Sequence, residues 1–200
     1  MARPRKRLSA EERSVQILRS AVTVFARSNY RAATVADIAA EAGISEAAIY
    51  KYFPSKKSLF LQSLRHMSER VIVLWRREVD NEPDAVRAIE NMAMTYYRRM
   101  MKHPEELKVQ FQAISEVDDQ EIATQLRQDH RNYRRFIEKV VKKALRQGTV
   151  RRDLDVPTMG FLLDGLGILM NMMKLLSFQR EFNQRRLRKM MDMLMRAMRA

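Results

Sequence analysis

The residues best suited to chemistry in this 200-residue chain crowd into one short stretch, between Thr34 and Lys56. Tyr50, Lys51, Tyr52 and Lys56 carry phenol and ammonium groups that reach phosphate oxygens. Thr34, Ser45 and Ser55 sit where helices start, and the free N–H groups of a helix start favour the same anions. Ala47 and Ala48 add a different property. Small side chains let a helix backbone approach base edges in a major groove about 12 Å wide, and alanine can touch a thymine methyl. Glu46 fits two roles, accepting from a cytosine amino group or facing solvent. Each residue alone also reads as an ordinary cap or exposed position. Their concentration in a basic segment is what favours nucleic acid.

Other chemistries find no comparable cluster. His66, His103 and His130 stand apart from any carboxylate at metal-ligand spacing, and neither a nucleophile–base pair nor a phosphate-binding glycine loop occurs. No catalytic residue, metal or cofactor is expected. The chain has no cysteine, which excludes disulfides and thiolate chemistry and fits a reducing, cytoplasmic setting. The formal net charge of +14 favours an anionic partner. Residues 1–60 hold 11 Lys and Arg against 5 Asp and Glu, whereas residues 61–200 hold 27 against 19, so the front is the more basic per residue. The opening MARPRKRLSAEE lacks the apolar core of a signal peptide. Met159 to Leu176, interrupted by Asp164, Asn171 and Lys174, reads as too short and too polar to span a bilayer, and no membrane partner is expected.

The elements that hold these residues follow from periodicity. Aliphatic residues recur three and four apart nearly throughout and nothing alternates with period two, so the chain reads as all-α with about nine helices. Ser9 with Glu12 forms a capping box at the first helix, and Asn29 suits a left-handed terminator after Arg27. Helices follow over 34–42, 46–53 and 56–79, then near 84–102, 105–116, 119–147, 157–178 and 181–198. In AGISEAAIYKYF, Gly43 ends one helix and Ser45 starts the next. At 100° per residue Ile49 and Phe53 share a face, Ala47 and Lys51 point away, and Val35, Ile38 and Ala39 supply the facing surface. Two short helices crossing at a glycine turn make a helix-turn-helix.

Ile17 to Phe60 resembles the N-terminal DNA-binding domain of the TetR family of bacterial transcriptional regulators. The likeness rests on Ala-x-x-x-Phe in the first helix, Thr-Val-x-Asp-Ile-Ala in the second, the Ala-Gly-Ile-Ser turn and Ile-Tyr-x-Tyr-Phe-x-x-Lys. It implies a homodimer reading a palindromic double-stranded operator. It also implies phosphate or backbone contacts from Thr34, Ser45, Tyr50, Tyr52 and Lys56, and a base-facing set of Glu46, Ala47, Ala48 and Lys51. Two positions depart from the family pattern: Asn29 replaces a usual glycine, and Ala33 replaces a common threonine, removing one hydroxyl. The basic leader Arg3, Arg5, Lys6 and Arg7 suits either a minor-groove arm or a free tail.

Three divisions are therefore expected: a basic arm over 1–8, a helix-turn-helix domain over 9–54, and a helical effector-binding and dimerisation domain over 55–200. Leu162, Leu166, Leu169 and Met173, with Leu187, Met191, Leu194 and Met198, form seams spaced four and three that suit a self-paired four-helix bundle or an internal core. The resemblance favours the dimer. Trp75, Tyr96, Tyr97, Phe111, Tyr133, Phe136, Phe161 and Met170 are material for a pocket that takes a small hydrophobic effector, although each also reads as core. The function expected is a dimeric repressor released by that effector. The alternatives are a DNA-binding or architectural protein without an effector, and a basic protein lying on a membrane surface.

Overall fold

The computed structural model describes residues 8–199; the arginines of the leader lie outside them. The elements are α1 (Ala10–Ser28), α2 (Val35–Ala42), α3 (Glu46–Tyr50), α4 (Lys56–Asn81), α5 (Ala85–Lys102), α6 (Pro104–Ile114), α7 (Gln120–Gln147), α8 (Val156–Leu175) and α9 (Gln184–Met198). Among the described residues there is no strand.

The chain turns where its caps dictate. Ser9 and Glu12 close a reciprocal capping box at α1, and Thr34 with Asp37 closes a second at α2. Asn29 ends α1 with φ +70° but ψ 167°, so the expected left-handed α geometry is not reached. A side chain explains the choice of residue: Asn29 Oδ1 accepts from Ala32 N–H at 2.9 Å, a bond glycine cannot supply. Gly43 does adopt left-handed α geometry. Its N–H donates to Ala40 O, and Ile44 N–H donates to Ala39 O, which is a Schellman closure of α2. The helix expected over 46–53 is shorter, α3 ending at Tyr50 in a turn that delivers Phe53 to the interior. α8 also stops early, at Leu175, through a turn in which Ser177 takes φ +63°.

Two apolar clusters follow. One joins Ile17, Phe25, Ile38, Ile49 and Phe53 to Leu59, Phe60 and Leu64 of α4, and also takes in Val109 and Ala113 of α6. Phe25 meets Phe60 edge-on at 5.1 Å between ring centres. This cluster crosses position 54, because α4 is its floor. The other spans α4, α5, α7, α8 and α9 and takes in Leu107 of α6. Between the two, Glu106 of α6 is buried with Arg99 of α5 and Arg70 of α4. A buried carboxylate needs such partners, and this pair fixes the start of α6 to both neighbours.

α9 corrects one expectation. Leu187, Met191 and Met198 are fully buried in this chain's own second cluster, so that seam faces inward and is closed to a partner. α8 has the opposite character: Phe161, Leu162, Ile168, Leu169, Met172 and Leu176 are exposed, and Met193 of α9 is 72% exposed. α8 also corrects the membrane argument. By length and composition Val156–Leu175 is apolar enough to cross a bilayer, with 33% of its most apolar window buried. Its two polar interruptions that face inward, Asp164 and Asn171, are nevertheless both bonded to partners inside this chain.

Candidate nucleic-acid interface and effector cavity

α3 is five residues long, and what holds it is burial on one side. Ile49 and Phe53 have no exposure, and they press against Ile38 in the first cluster. Gln16 of α1 donates from Nε2 to Ala42 O at 3.0 Å, pinning the end of α2 that leads into the turn. The opposite side is free: Glu46, Ala47, Tyr50, Lys51 and Tyr52 are exposed and Ala48 is half-buried. The residues expected to face DNA thus share the outer side of a helix braced from behind. Tyr50 is 50% exposed, a large amphipathic group that packing within this chain does not use.

The hydroxyl groups are less equivalent than their types suggest. Ser45 Oγ accepts from Ala48 N–H at 3.2 Å, and Ser55 Oγ accepts from Ser58 N–H at 3.0 Å. Each serine proton is therefore left to donate outward. Thr34 differs, because its hydroxyl donates to Asp37 Oδ2 at 2.6 Å while accepting from Asp37 N–H. These bonds hold the Asp37 carboxyl below its ordinary range. Lys56 is also committed. Its Nζ donates to Arg31 O at 3.0 Å and Ala33 O at 2.9 Å and lies 5.1 Å from the Tyr30 ring centre, leaving one of three ammonium protons free. Lys57 pairs with Asp119 at 3.0 Å and with Glu121, which raises its pKa, and so ties the start of α4 to the start of α7.

Behind this domain lies a cavity of about 320 Å³ enclosed by α4, α5, α6, α7 and α8. Trp75, Tyr96, Phe111, Tyr133 and Met170 line it, as expected from the sequence. Three other expected residues do not. Tyr97 is buried in the core away from it, Phe136 stacks on Trp75 with ring centres 6.0 Å apart, and Phe161 is exposed beneath the Arg134 guanidinium.

Sequence reasoning missed the polar residues of the cavity. His130 Nδ1 lies 2.9 Å from Asp164 Oδ2, and this bond raises the imidazole pKa against the opposing effect of burial. The Tyr96 hydroxyl and the Asn171 side chain hydrogen-bond each other at 2.8 Å, and burial pushes the phenol up to about 12. Asp129 also lines the wall, and desolvation pushes its carboxyl up to about 6 although the Gln125 amide donates to it at 2.9 Å. One signal was available. Asp164 and Asn171 are seven apart, two helical turns, and interrupt an otherwise apolar helix on a single face.

The geometry of α1 to α3 has a counterpart among known proteins. Residues 17–62 match the family described as bacterial regulatory proteins, tetR family. That match is confined to the helix-turn-helix region. The chain is 27% identical over 144 residues to the HTH-type transcriptional repressor KstR2 of Rhodococcus jostii (strain RHA1), covering 72% of this chain and 71% of that protein. Its fold is similar to that of the fatty acid degradation regulator FadR from Bacillus halodurans, with TM-score 0.78 and 18% identity over 95% of this chain and 96% of that one. FadR from Bacillus subtilis, solved in complex with stearoyl-CoA, gives TM-score 0.76 at 16% identity over 91% and 95%. The relatives are transcriptional regulators. At these identities the two solved structures bear on the fold alone.

Proposed function

We propose that this chain is a cytoplasmic homodimeric repressor of the TetR family that binds a palindromic operator and leaves it when a small hydrophobic effector occupies the cavity. One observation carries the reading: α4 serves both sites. Its first residues floor the domain that presents α3, while Leu64, Val71 and Trp75 further along it line the cavity. A ligand filling that cavity acts on the helix that positions the recognition surface. Residues 9–54 would then be the DNA-reading unit and 55–200 the effector-binding and dimerising unit.

Within that reading Ala47, Ala48 and Lys51 face bases, with Glu46 at the margin. Ser45, Tyr50 and Tyr52 contact phosphates. Thr34 and Lys56 chiefly shape the backbone, because the Thr34 hydroxyl proton and two of the three Lys56 ammonium protons are already engaged. The exposed apolar side of α8, with Leu162 and Leu169, and Met193 and Leu194 of α9 would form the dimer seam, joined by the half-buried Leu166 and Met173. KstR2 of Rhodococcus jostii is a repressor, which supports that part of the reading. The mechanism is a population shift: an effector that prefers the conformation with misplaced α3 helices weakens DNA binding, and DNA weakens effector binding by the same factor. Coupling of roughly 1–3 kcal/mol, about 5–150-fold, is typical.

The test is a selection of bound duplexes from a random pool at stated salt. One palindrome with half-sites about 34–36 Å apart is expected. Recovery of duplexes without a shared sequence would refute operator recognition.

A further inference from the structure

The cavity wall is apolar and aromatic, and its ionisable acids and bases, the tyrosines aside, are two carboxylates against a single histidine. Asp129 and Asp164 both line it, and among the described lining residues none is a lysine or an arginine. Asp164 has a partner in His130. Asp129 has none of opposite charge within ion-pair distance. It is 7% exposed, and its hydrogen-bond donors, the Ser68 hydroxyl and the Gln125 amide, are both neutral. A carboxylate this buried is held without a counter-charge only at a cost in free energy. The desolvation seen in its raised pKa is that cost, and a pKa near 6 still leaves the group ionised at neutral pH. A second group in the same wall also lacks a partner, and being a donor it would take an acceptor rather than an ammonium. Trp75 is buried, and its Nε1 has no hydrogen-bond partner. Trp75 meets Tyr133 edge-on at 5.5 Å, so the wall also offers aromatic faces of the kind that attract cations.

Taking the cavity to be the effector site, as proposed above, we infer that its ligand is an apolar amine, whose protonated nitrogen pairs with Asp129 while its hydrocarbon or aromatic body packs against Trp75, Tyr133 and Phe111. An ammonium supplies the counter-charge Asp129 lacks and lies near aromatic faces. A ligand carboxylate or phosphate in the same place would meet two carboxylates and no lysine or arginine, the one imidazole, His130, being already bonded to Asp164. At about 320 Å³ the volume lies at the low end for ligand sites, which fits a small body rather than a long chain.

Trp75 is the only tryptophan in the sequence, so its fluorescence reports directly on the cavity. The full chain is titrated near neutral pH with phenylbutylamine, phenylbutanol and phenylbutanoate, three probes that differ only in the head group, and melting is followed in parallel. The amine is expected to bind about tenfold more tightly than the alcohol, as a charge-assisted bond predicts, with the acid weakest. Asp129→Asn should bring the amine down to the level of the alcohol and leave the alcohol unchanged. An acid that equals or exceeds the amine, no response to the amine, or an amine advantage that survives Asp129→Asn would each overturn the inference. The three-probe ranking in the unaltered chain decides the matter even if the variant does not fold. Operator affinity measured with each probe separates the two readings. An amine that binds without changing DNA affinity refutes the effector mechanism and leaves the ligand class standing. DNA release by the acid but not the amine does the reverse.

Discussion

Lys56→Met distinguishes a lysine that grips DNA from one that builds the surface gripping it. In the unaltered chain the ammonium donates to Arg31 O and Ala33 O, the two carbonyls of the turn that carries α1 into α2. Ala33 is buried, so water cannot fully replace the lost donor at its carbonyl, whereas Arg31 is exposed and its carbonyl can be hydrated. Methionine keeps an unbranched apolar stem beside Tyr30 but removes the cation 5.1 Å from its ring. One orphaned, partly buried acceptor costs roughly 1–3 kcal/mol and the lost cation–π contact about 0.5–1. Solvent competition at this half-exposed site lowers the total to about 2 kcal/mol. Urea denaturation followed by circular dichroism measures it, with the midpoint falling and the slope unchanged. Operator titrations over a range of salt supply the second readout. If Lys56 instead serves a phosphate alone, the urea midpoint will not move and the log–log salt slope will flatten by about one. That pair of results would refute the positioning role.

Three further outcomes are expected. Ala47→Leu, at an exposed position, should change stability by less than about 0.5 kcal/mol yet weaken operator binding at least about tenfold in gel shifts, because a larger side chain holds α3 off the base edges; unaltered binding would remove α3 from the groove. Leu162→Glu places a charge on the exposed face of α8, and sedimentation should show a monomer that keeps its helical content; a persisting dimer would relocate the seam. Asp129 makes stability depend on pH with a definite sign. Its folded pKa, about 6, lies above the ordinary 3.8, so the folded state binds the extra proton. The stabilising contribution is complete below about pH 4 and is lost as pH rises through 6, a swing of at most about 3 kcal/mol. Asp129→Asn should abolish that window in pH-dependent urea melts. The raised His130 pKa acts in the same direction at higher pH, and because the Asp129 charge is one of its causes, the difference between the two proteins contains Asp129 together with that part of the His130 shift.

The helices were legible because their signals are local. Ser9 with Glu12, Thr34 with Asp37, Gly43 and Gly148 set the boundaries of α1, α2 and α7 within a residue or so, each through bonds that span five residues or fewer. The outward side of α3 was legible too, since placing Ile49 inward fixes where Ala47 and Lys51 point. The side of α9 was not. A seam spaced four and three states that Leu187, Met191 and Met198 share a face, but not whether their own chain or a partner covers it. The polar cavity groups were hidden for another reason. His130 and Asp164 are 34 positions apart and Tyr96 and Asn171 are 75 apart, so the helical period of either member alone gives no hint of the other. Even Lys56, expected from the resemblance to contact phosphate or backbone, donates to carbonyls 23 and 25 positions away that its own helix does not foreshadow.

The route from cavity to DNA need not run through α4 alone, since α6 also belongs to both regions. Val109 and Ala113, four apart, are buried in the cluster that holds α1, while Phe111 and Ile114 line the cavity. The start of α6 is fixed by Glu106 to Arg70 and Arg99, and Glu116, just beyond its end, pairs with Arg31 at 2.8 Å. Arg31 lies in the same turn whose carbonyls hold Lys56. A ligand that displaces Phe111 therefore acts on a helix anchored at its start, so the displacement must appear at its far end, against α1 and the turn into α2. The Arg31–Glu116 bridge is exposed on the arginine side, so solvent screening leaves it little resistance to add. That is small against the roughly 1–3 kcal/mol of coupling such a switch requires, so the buried contacts of Val109 and Ala113, rather than the ion pair, would have to carry it. An effector-bound structure in which α6 keeps its present contacts with α1 would exclude this route and leave α4 and α7, whose Ile122 is in the first cluster while Leu126 lines the cavity.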